Sequence, residues 1–343
     1  MRICLLINRI HTSMDYKTPI VITSINKPTK AIKKIGKLKN FITIIVGDKK
    51  TPKDWRVINT EFLSIEDQYT KYPKLARAIP ANHYARKNLG YLESIKKASK
   101  FIYETDDDGF PNKFFPNFYT KVTTLDEVSS PQVLNIYALF TKKKVWPRGF
   151  PLNFINKKIT YQATKRKIFP YIQQSLADLD PDVDAIYRLT IGKKIRFEKN
   201  KSFTLAKNTF CPFNSQNTYW HKKAFPLLYL PSSVSSRVTD IWRGYIAQRV
   251  LWELDGQLIF LSPCCYQIRN KHNLLNDLHE EADCYLKSEN LINYLKLLKL
   301  KGEIDEMLVF IYEHLVAKNF VKPEELNILT LWLKELKELT PRI

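Results

Sequence analysis

The chain has 343 residues, 44% of them hydrophobic and 13% aromatic, with only nine glycines, a composition that supplies a sizeable core and excludes global disorder, glycine-rich repeats and long flexible linkers. Its net charge of +21, from 55 Lys+Arg against 34 Asp+Glu, suits an anionic partner (nucleic acid, an acidic membrane surface or a phosphorylated small molecule), the plainer alternative being a well-solvated lysine-rich surface. No zinc-finger spacing and no RNA-recognition aromatic signature accompanies the scattered lysines, so nucleic acid is set aside, and the basic surface suits a phosphate-bearing acceptor or peripheral docking on a membrane.

The opening "MRICLLINRI" is too short and too interrupted for a signal peptide or a membrane span, and no run of about 18 apolar residues follows. Five cysteines (Cys4, Cys211, Cys264, Cys265, Cys284) form no C-x-x-C pair, which reads as a reducing compartment. The expectation is a soluble, cytoplasmic protein.

In chain order, "TPIVITSIN" (18–26) reads as a strand ended by Lys27-Pro28, "TKAIKKIGKL" as a basic helix, and "FITIIVGDKKTP" (41–52) as a buried strand with a Gly-Asp stop. "ANHYARKNLGYLESIKKASK" (81–100) reads as a helix capped by Asn82, with Tyr84, Asn88, Tyr91, Ile95 and Ala98 on one face. "FIYETDDD" is the next strand. Apolar strands alternating with helices predict an α/β fold, its sheet covered on both faces. The pattern is less regular from about 113 to 200. "RVTDIWRGYIAQRVLWEL" then reads as a helix, and after about 275 the chain turns helical and amphipathic, a packing or homodimer element.

Ligands of such sheets bind at the carboxyl ends of the strands, where Thr23-Ser24, Asp48 and the triplet Asp106, Asp107, Asp108 all fall. Carboxylates there suit Mg²⁺ or Mn²⁺, which leaves coordination positions for substrate phosphates. The plainer alternative is an Asx turn opening "DGFPN". Glu104 qualifies by position as well.

In the preceding helix Arg86 can fork onto a diphosphate or a base, Asn88 can orient a strand end, and Gly90 marks a close approach of backbone or ligand; the alternative is an exposed basic face. Asp240 begins a helix, with Thr239 or Ser236 as cap. It is either a complement to the helix dipole or a general base, with Arg243 one turn on to hold the base or a phosphate and Gln248, Arg249 and Trp252 leading toward an acceptor. Asp182 and Asp184 form a second pair, read first as a turn before a strand. The six histidines have no zinc-site spacing, and no P-loop, G-x-G-x-x-G or G-x-S-x-G occurs, which removes ATPases, dehydrogenases and serine hydrolases.

"ARKNLGYLESIKKASKFIYETDDD" resembles the helix and acidic strand end of GT-A glycosyltransferases. Together with "VGDKKTP", "VWPRGFPL", "IQQSLADLDPDVDAIYRLT", "FNSQNT" and "LPSSVSSRVTDIWRGYIAQRVLWEL", it is most similar to the STELLO family, and more distantly to UDP-arabinopyranose mutases. The acidic cluster departs from that family: it reads E-T-D-D-D where the family has D-A-D-D-R, so the two aspartates that hold the metal are left open.

The resemblance implies a GT-A fold: a mixed, mostly parallel sheet flanked by helices, with a C-terminal α-helical extension. The transferase domain would span 1–275, with a nucleotide half at about 18–112 and an acceptor half at about 113–275, and the extension 276–343. It implies a UDP-sugar donor and Mn²⁺ or Mg²⁺, and the basic surface adds the expectation of a glycan or lipid-linked acceptor. Thr23, Ser24 and Asp48 would border the uridine, Arg86 and Asn88 the nucleotide, and Asp106 to Asp108 the metal and diphosphate. Asn214, Asn217, Asp182 and Asp184 would line the donor-sugar and acceptor side. Asp240 and Arg243 would be the acceptor base and its partner, and His272 a late metal ligand. A sugar mutase and a non-catalytic scaffold on the same fold are the rival expectations.

Overall fold

The computed structural model describes residues 17–97, 100–131, 133–270 and 272–339, so Cys4, the opening segment and Ala98 lie outside the described residues. The first half runs β1 (Thr18–Thr23), α1 (Lys30–Ile35), β2 (Phe41–Val46), β3 (Thr60–Leu63), α2 (Ile65–Lys71), α3 (Pro73–Ala78), α4 (Lys87–Ile95) and β4 (Phe101–Thr105). Then come β5 (Gly109–Pro111), β6 (Thr123–Ser129), α5 (Tyr137–Phe140), β7 (Gln162–Ile168), β8 (Ile172–Leu179), α6 (Ala185–Thr190), β9 (Ser202–Leu205) and β10 (Asn217–His221). The chain closes with α7 (Thr239–Leu251), β11 (Leu258–Gln267), α8 (Leu274–Glu280), α9 (Ala282–Leu297), α10 (Ile304–Ala317) and α11 (Glu324–Leu339).

All the described strands join one sheet, in the order β3-β2-β1-β4-β10-β8-β11-β9-β6-β7, with β5 on β11. β1 to β4 are mutually parallel. β10 is antiparallel to both β4 and β8, so β8 and its parallel neighbour β11 run the same way as β4. The carboxyl ends of β1, β2, β4, β8 and β11 therefore share one edge with the amino end of β10. This mixed sheet between helices fits the GT-A-like class.

Both faces are covered, which is why these strands read as unbroken apolar runs. Along β1 the side chains alternate: Ile20 and Ile22 pack with α1, while Val21 joins the larger core on the α4 side. Gly90 in α4 lets that helix lie against the sheet, since a Cβ there would come within 2.4 Å of Val46 and 2.7 Å of Val21. Its close approach is to the strands. The helices from α9 to α11 share the core with α4 and α7. Among the described residues, no helix is long and apolar enough to cross a membrane.

Local details differ from expectation. Asn82 does not cap a helix; it takes φ 54°, and His83 caps a short 3₁₀ turn (Tyr84–Arg86) before α4. α7 begins without a side-chain cap, because the Thr239 hydroxyl donates to Pro231 O and Ser236 Oγ accepts from Tyr84 N. Asp184 precedes a helix, not a strand: it caps α6 through Tyr187 N. The helix bearing Arg86 and Lys87 is not an exposed basic face, for both residues are buried.

Candidate active site

The shared sheet edge collects the segments singled out in the sequence. Ser24 follows β1, Asp48 follows β2, the triplet follows β4, Asp180 to Asp184 follow β8, and Asn270 follows β11. Asn214 to Gln216 lead into the reversed β10.

Asp107 ties the triplet to the β1 side. Its Oδ2 accepts from Ser24 Oγ (2.6 Å) and Asn26 Nδ2 (3.0 Å), and its Oδ1 from Asn270 Nδ2 (3.2 Å). Asp108 accepts from Gln267 Nε2 (2.7 Å) and Asn270 N (3.2 Å). Asp106, partly exposed, accepts from the Tyr84 hydroxyl at 2.8 Å. Burial raises the Asp106 pKa to about 7; Lys87 opposes the rise, and Asp108 and Asp240 add to it. Burial and neighbouring Asp107 likewise raise Asp108. Two carboxyls strained toward protonation, with only uncharged hydrogen-bond donors, form an oxygen donor set that suits a hard divalent cation. Among the described residues, no group of three or more His, Cys, Asp and Glu side chains stands ready to hold a metal alone, so substrate oxygens or water would complete such a shell.

The neighbouring carboxylates are clamped instead. Glu104, fully buried at the end of β4, pairs with Arg243 at 2.8 Å and Lys87 at 3.8 Å, and accepts from Trp220 Nε1 and the Tyr91 hydroxyl. Burial alone would raise its pKa, but Arg243 and Lys87 outweigh it and hold it low. Asp240 is bound by Arg148 through two bonds of 3.0 and 2.9 Å and by Ser215 N. Burial opposes ionisation there too, and Arg148 overrides it. The same guanidinium holds Asp182 at 2.9 and 2.8 Å. Gly149, at φ +82°, makes this possible: a Cβ would meet Ile241 at 2.3 Å, so only glycine lets the Arg148 loop lie on α7.

The anticipated partner of Asp240 is thus corrected. Arg243, one turn along α7, turns to Glu104 and Ser215 Oγ, while Arg148 from "VWPRGFPL" holds Asp240. Gln248, Arg249 and Trp252 also lie in the core, on Cys211 N, the Leu295 and Leu298 carbonyls, and Phe210. Asn88 is committed to both the N–H and the C=O of Leu230. Arg86 donates to Gln68, Ala76 O and Ile79 O, with Nη2 left without a partner.

The remaining expected residues are placed as follows. Asp48 bridges Lys49 N and His83 N, and Thr23 closes β1 half-buried. Asn214 accepts from Gln174 and Gln216 N, while Asn217 links Tyr103, Leu176 O and Cys264 beneath the edge. Asp184, raised to about 6 by burial, takes Trp146 Nε1 as well. His272 lies 3.4 Å from Asp277, and the side chain of that segment that meets the triplet is Asn270.

Sequence reading missed Tyr84, Lys87, Arg148 and Asn270. Lys87 joins Thr105 O to the Tyr84 hydroxyl and so stands directly behind Asp106. The signal for Arg148 was present in a quoted block that carried no assigned role. The C-terminal helices bear on the site indirectly: buried Glu325 of α11 accepts from Ser232 N and Ser233 N. That holds the loop whose Ser236 and Val234 contact Tyr84 and His83.

A family model described as STELLO glycosyltransferases matches residues 237–342, from just before Asp240 through α11. The chain is 29% identical to "Probable glycosyltransferase STELLO1" of Arabidopsis thaliana, over 92% of this chain and 44% of that protein. It is 30% identical to "Probable glycosyltransferase STELLO2" of the same plant, over 80% of this chain and 39% of that protein. It thus spans less than half the length of these relatives. The family match across α7 to α11 and the identity of 29–30% over most of its own length make the chain similar to these STELLO glycosyltransferases.

Proposed function

We propose that the chain is a glycosyltransferase that takes a nucleoside-diphosphate sugar, UDP-linked, and passes the sugar to an acceptor hydroxyl. The observation that carries this reading is the aspartate triplet, which forms no ion pair with a Lys or Arg among the described residues, on an edge shared with the ends of β1, β2, β8 and β11. In this reading residues up to about 275 carry the chemistry, and the helices beyond it buttress the site.

Asp106 and Asp108 would hold Mn²⁺ or Mg²⁺, which stabilises a departing diphosphate as a Lewis acid when bound. Ser24, Asn26 and Asn270 fix Asp107 and with it the orientation of the triplet. Tyr84, backed by Lys87, orients Asp106. The nucleotide would lie toward Thr23, Ser24, Asp48 and Arg86, whose unpartnered Nη2 remains to be satisfied. Asp240 is the acceptor-side carboxylate. Arg148 keeps it ionised, and an acceptor hydroxyl that displaced one arm of Arg148 would find a charged hydrogen-bond acceptor.

The decisive test is calorimetric binding of UDP with and without Mn²⁺, against other nucleoside diphosphates. Metal-dependent, uridine-selective binding is the expected result; no binding in either condition removes the reading. The tight hold of Arg148 on Asp240 favours one second reading, a mutase that rearranges the donor and needs no acceptor base. Incubation with UDP-sugar alone separates the two, since only a mutase converts the donor without acceptor.

A further inference from the structure

Beside Asn270 the surface sinks into a cavity of about 280 Å³. Its walls come from the segment after β8, from α6 and from the segment after β11. The charged groups on those walls are unbalanced. Arg188, Lys193 and Arg269 face a single carboxylate, Asp180, among the described lining residues.

The two arginines are incompletely answered. Arg188 donates through Nη2 to Pro181 O and has Nη1 3.6 Å from Asp180, but its Nε is buried without a partner. Arg269 pairs with Asp277 at 2.5 Å, and its Nη1 is likewise buried without a partner. Arg237 crowds the same corner and shares Asp277 at 3.7 Å, as does His272 at 3.4 Å. Burial, with Arg188 and Arg237 alongside, lowers the Arg269 pKa to about 10. Exposed Lys193 adds a further cation at the rim. Buried guanidinium donors left unsatisfied are costly, and forked N–H groups match phosphate oxygens.

Position separates this cavity from the nucleotide side. β8 lies three strands from β1 in the sheet order, on the order of 14 Å at ordinary strand spacing. None of Thr23, Ser24, Asp48 and Arg86 lines it. Pro181 in its wall adjoins Asp182, which shares Arg148 with Asp240, so the cavity opens on the acceptor side.

We infer that this cavity binds a phosphate group carried by the acceptor, next to the site where the sugar is received. The inference rests on the glycosyltransferase reading above. It makes the acceptor a phosphorylated molecule and gives the pocket arginines the role of positioning it. Asn270 joins the two compartments, since it lines this cavity and also holds Asp107 and Asp108.

The test titrates inorganic phosphate and glycerol 3-phosphate into the full chain, alone and with saturating UDP and Mn²⁺. Arg188→Gln and Arg269→Gln should each weaken phosphate binding roughly tenfold, the effect of losing a charge-assisted bond, with UDP affinity held within about twofold. Lys193→Gln, on an exposed side chain whose loss leaves the fold intact, should weaken it by about threefold and more so at low salt. Phosphate should still bind when UDP is saturating. One-for-one displacement by UDP would assign the cavity to the donor's own diphosphate and overturn the inference, as would phosphate binding indifferent to all three substitutions. Variant-sensitive phosphate binding in a chain that fails to bind UDP would uphold the anion cavity while removing the donor reading.

Discussion

Glu104 and Asp106 are two residues apart on one strand end, yet the protein treats them oppositely. Glu104, like Asp182 and Asp240 across the site, is held by arginine. The carboxylates of Asp106, Asp107 and Asp108 accept from Tyr84, Ser24, Asn26, Gln267 and Asn270, and no Lys or Arg among the described residues forms an ion pair with them. The difference teaches how a basic chain can keep an acidic site. Carboxylates that are paired internally hold elements together, as Glu104 joins β4, α4 and α7. Those denied a cation are pushed toward protonation instead, as Asp106 and Asp108 are.

The comparison breaks most readily at Glu104. Glu104→Ala would strand Arg243 and Lys87 in the core, and chemical denaturation should show a loss of about 3–5 kcal/mol. A loss below about 1 kcal/mol would mean that water reaches those cations and that the clamp is loose. The opposite arm is the double substitution Asp106→Ala, Asp108→Ala. It should weaken Mn²⁺-dependent UDP binding by about 100-fold, roughly 2.7 kcal/mol, while stability holds or rises because a strained like-charge pair is gone. Unchanged UDP binding in that variant would reassign the triplet to a structural turn.

Glu325→Ala removes the acceptor for two backbone N–H groups of the 232–233 loop and should cost about 1–3 kcal/mol. Because that loop positions Tyr84, metal affinity should fall along with the melting temperature; a melting change with metal affinity intact would sever the tail from the site.

The smallest effect is on pH dependence, and its sign differs between the two sets. Asp277, brought to about 2 by His272, Arg237 and Arg269 against the effect of burial, contributes stability above its ordinary 3.8 that is lost as pH falls toward 2. Asp106 sits at about 7 in the folded chain, so the native state holds the extra proton and its contribution declines as pH rises from 3.8 through 7. Thermal melts of Asp106→Asn should match the parent at acid pH and exceed it at pH of about 8. Identical curves for the two proteins would show that the Asp106 carboxyl is hydrated.

Much of this was legible in the residues. The runs "TPIVIT", "FITIIV" and "FIYET" specify buried parallel strands, because both faces of such a strand must be apolar, and the polar residues that end them fall on one edge by topology alone. The triplet's place on that edge follows from the same rule. Helix α7 was readable from its unbroken pattern, and Gly90 from its cost inside a helix. What periodicity cannot express is which charges meet. Arg148 and Asp240 are 92 residues apart, and Asn270 reaches Asp107 across 163. Arg243 beside Asp240 in sequence looked like its partner, but the fold gave it Glu104, 139 residues away. Local sequence sets backbone shape through short-range sterics and burial, and so it determined the strands, the sheet edge and the acidic cluster. Electrostatic pairing depends on distances that exist only once the sheet has closed, and so the tertiary structure alone decided which carboxylates are clamped by arginine and which are held by uncharged donors.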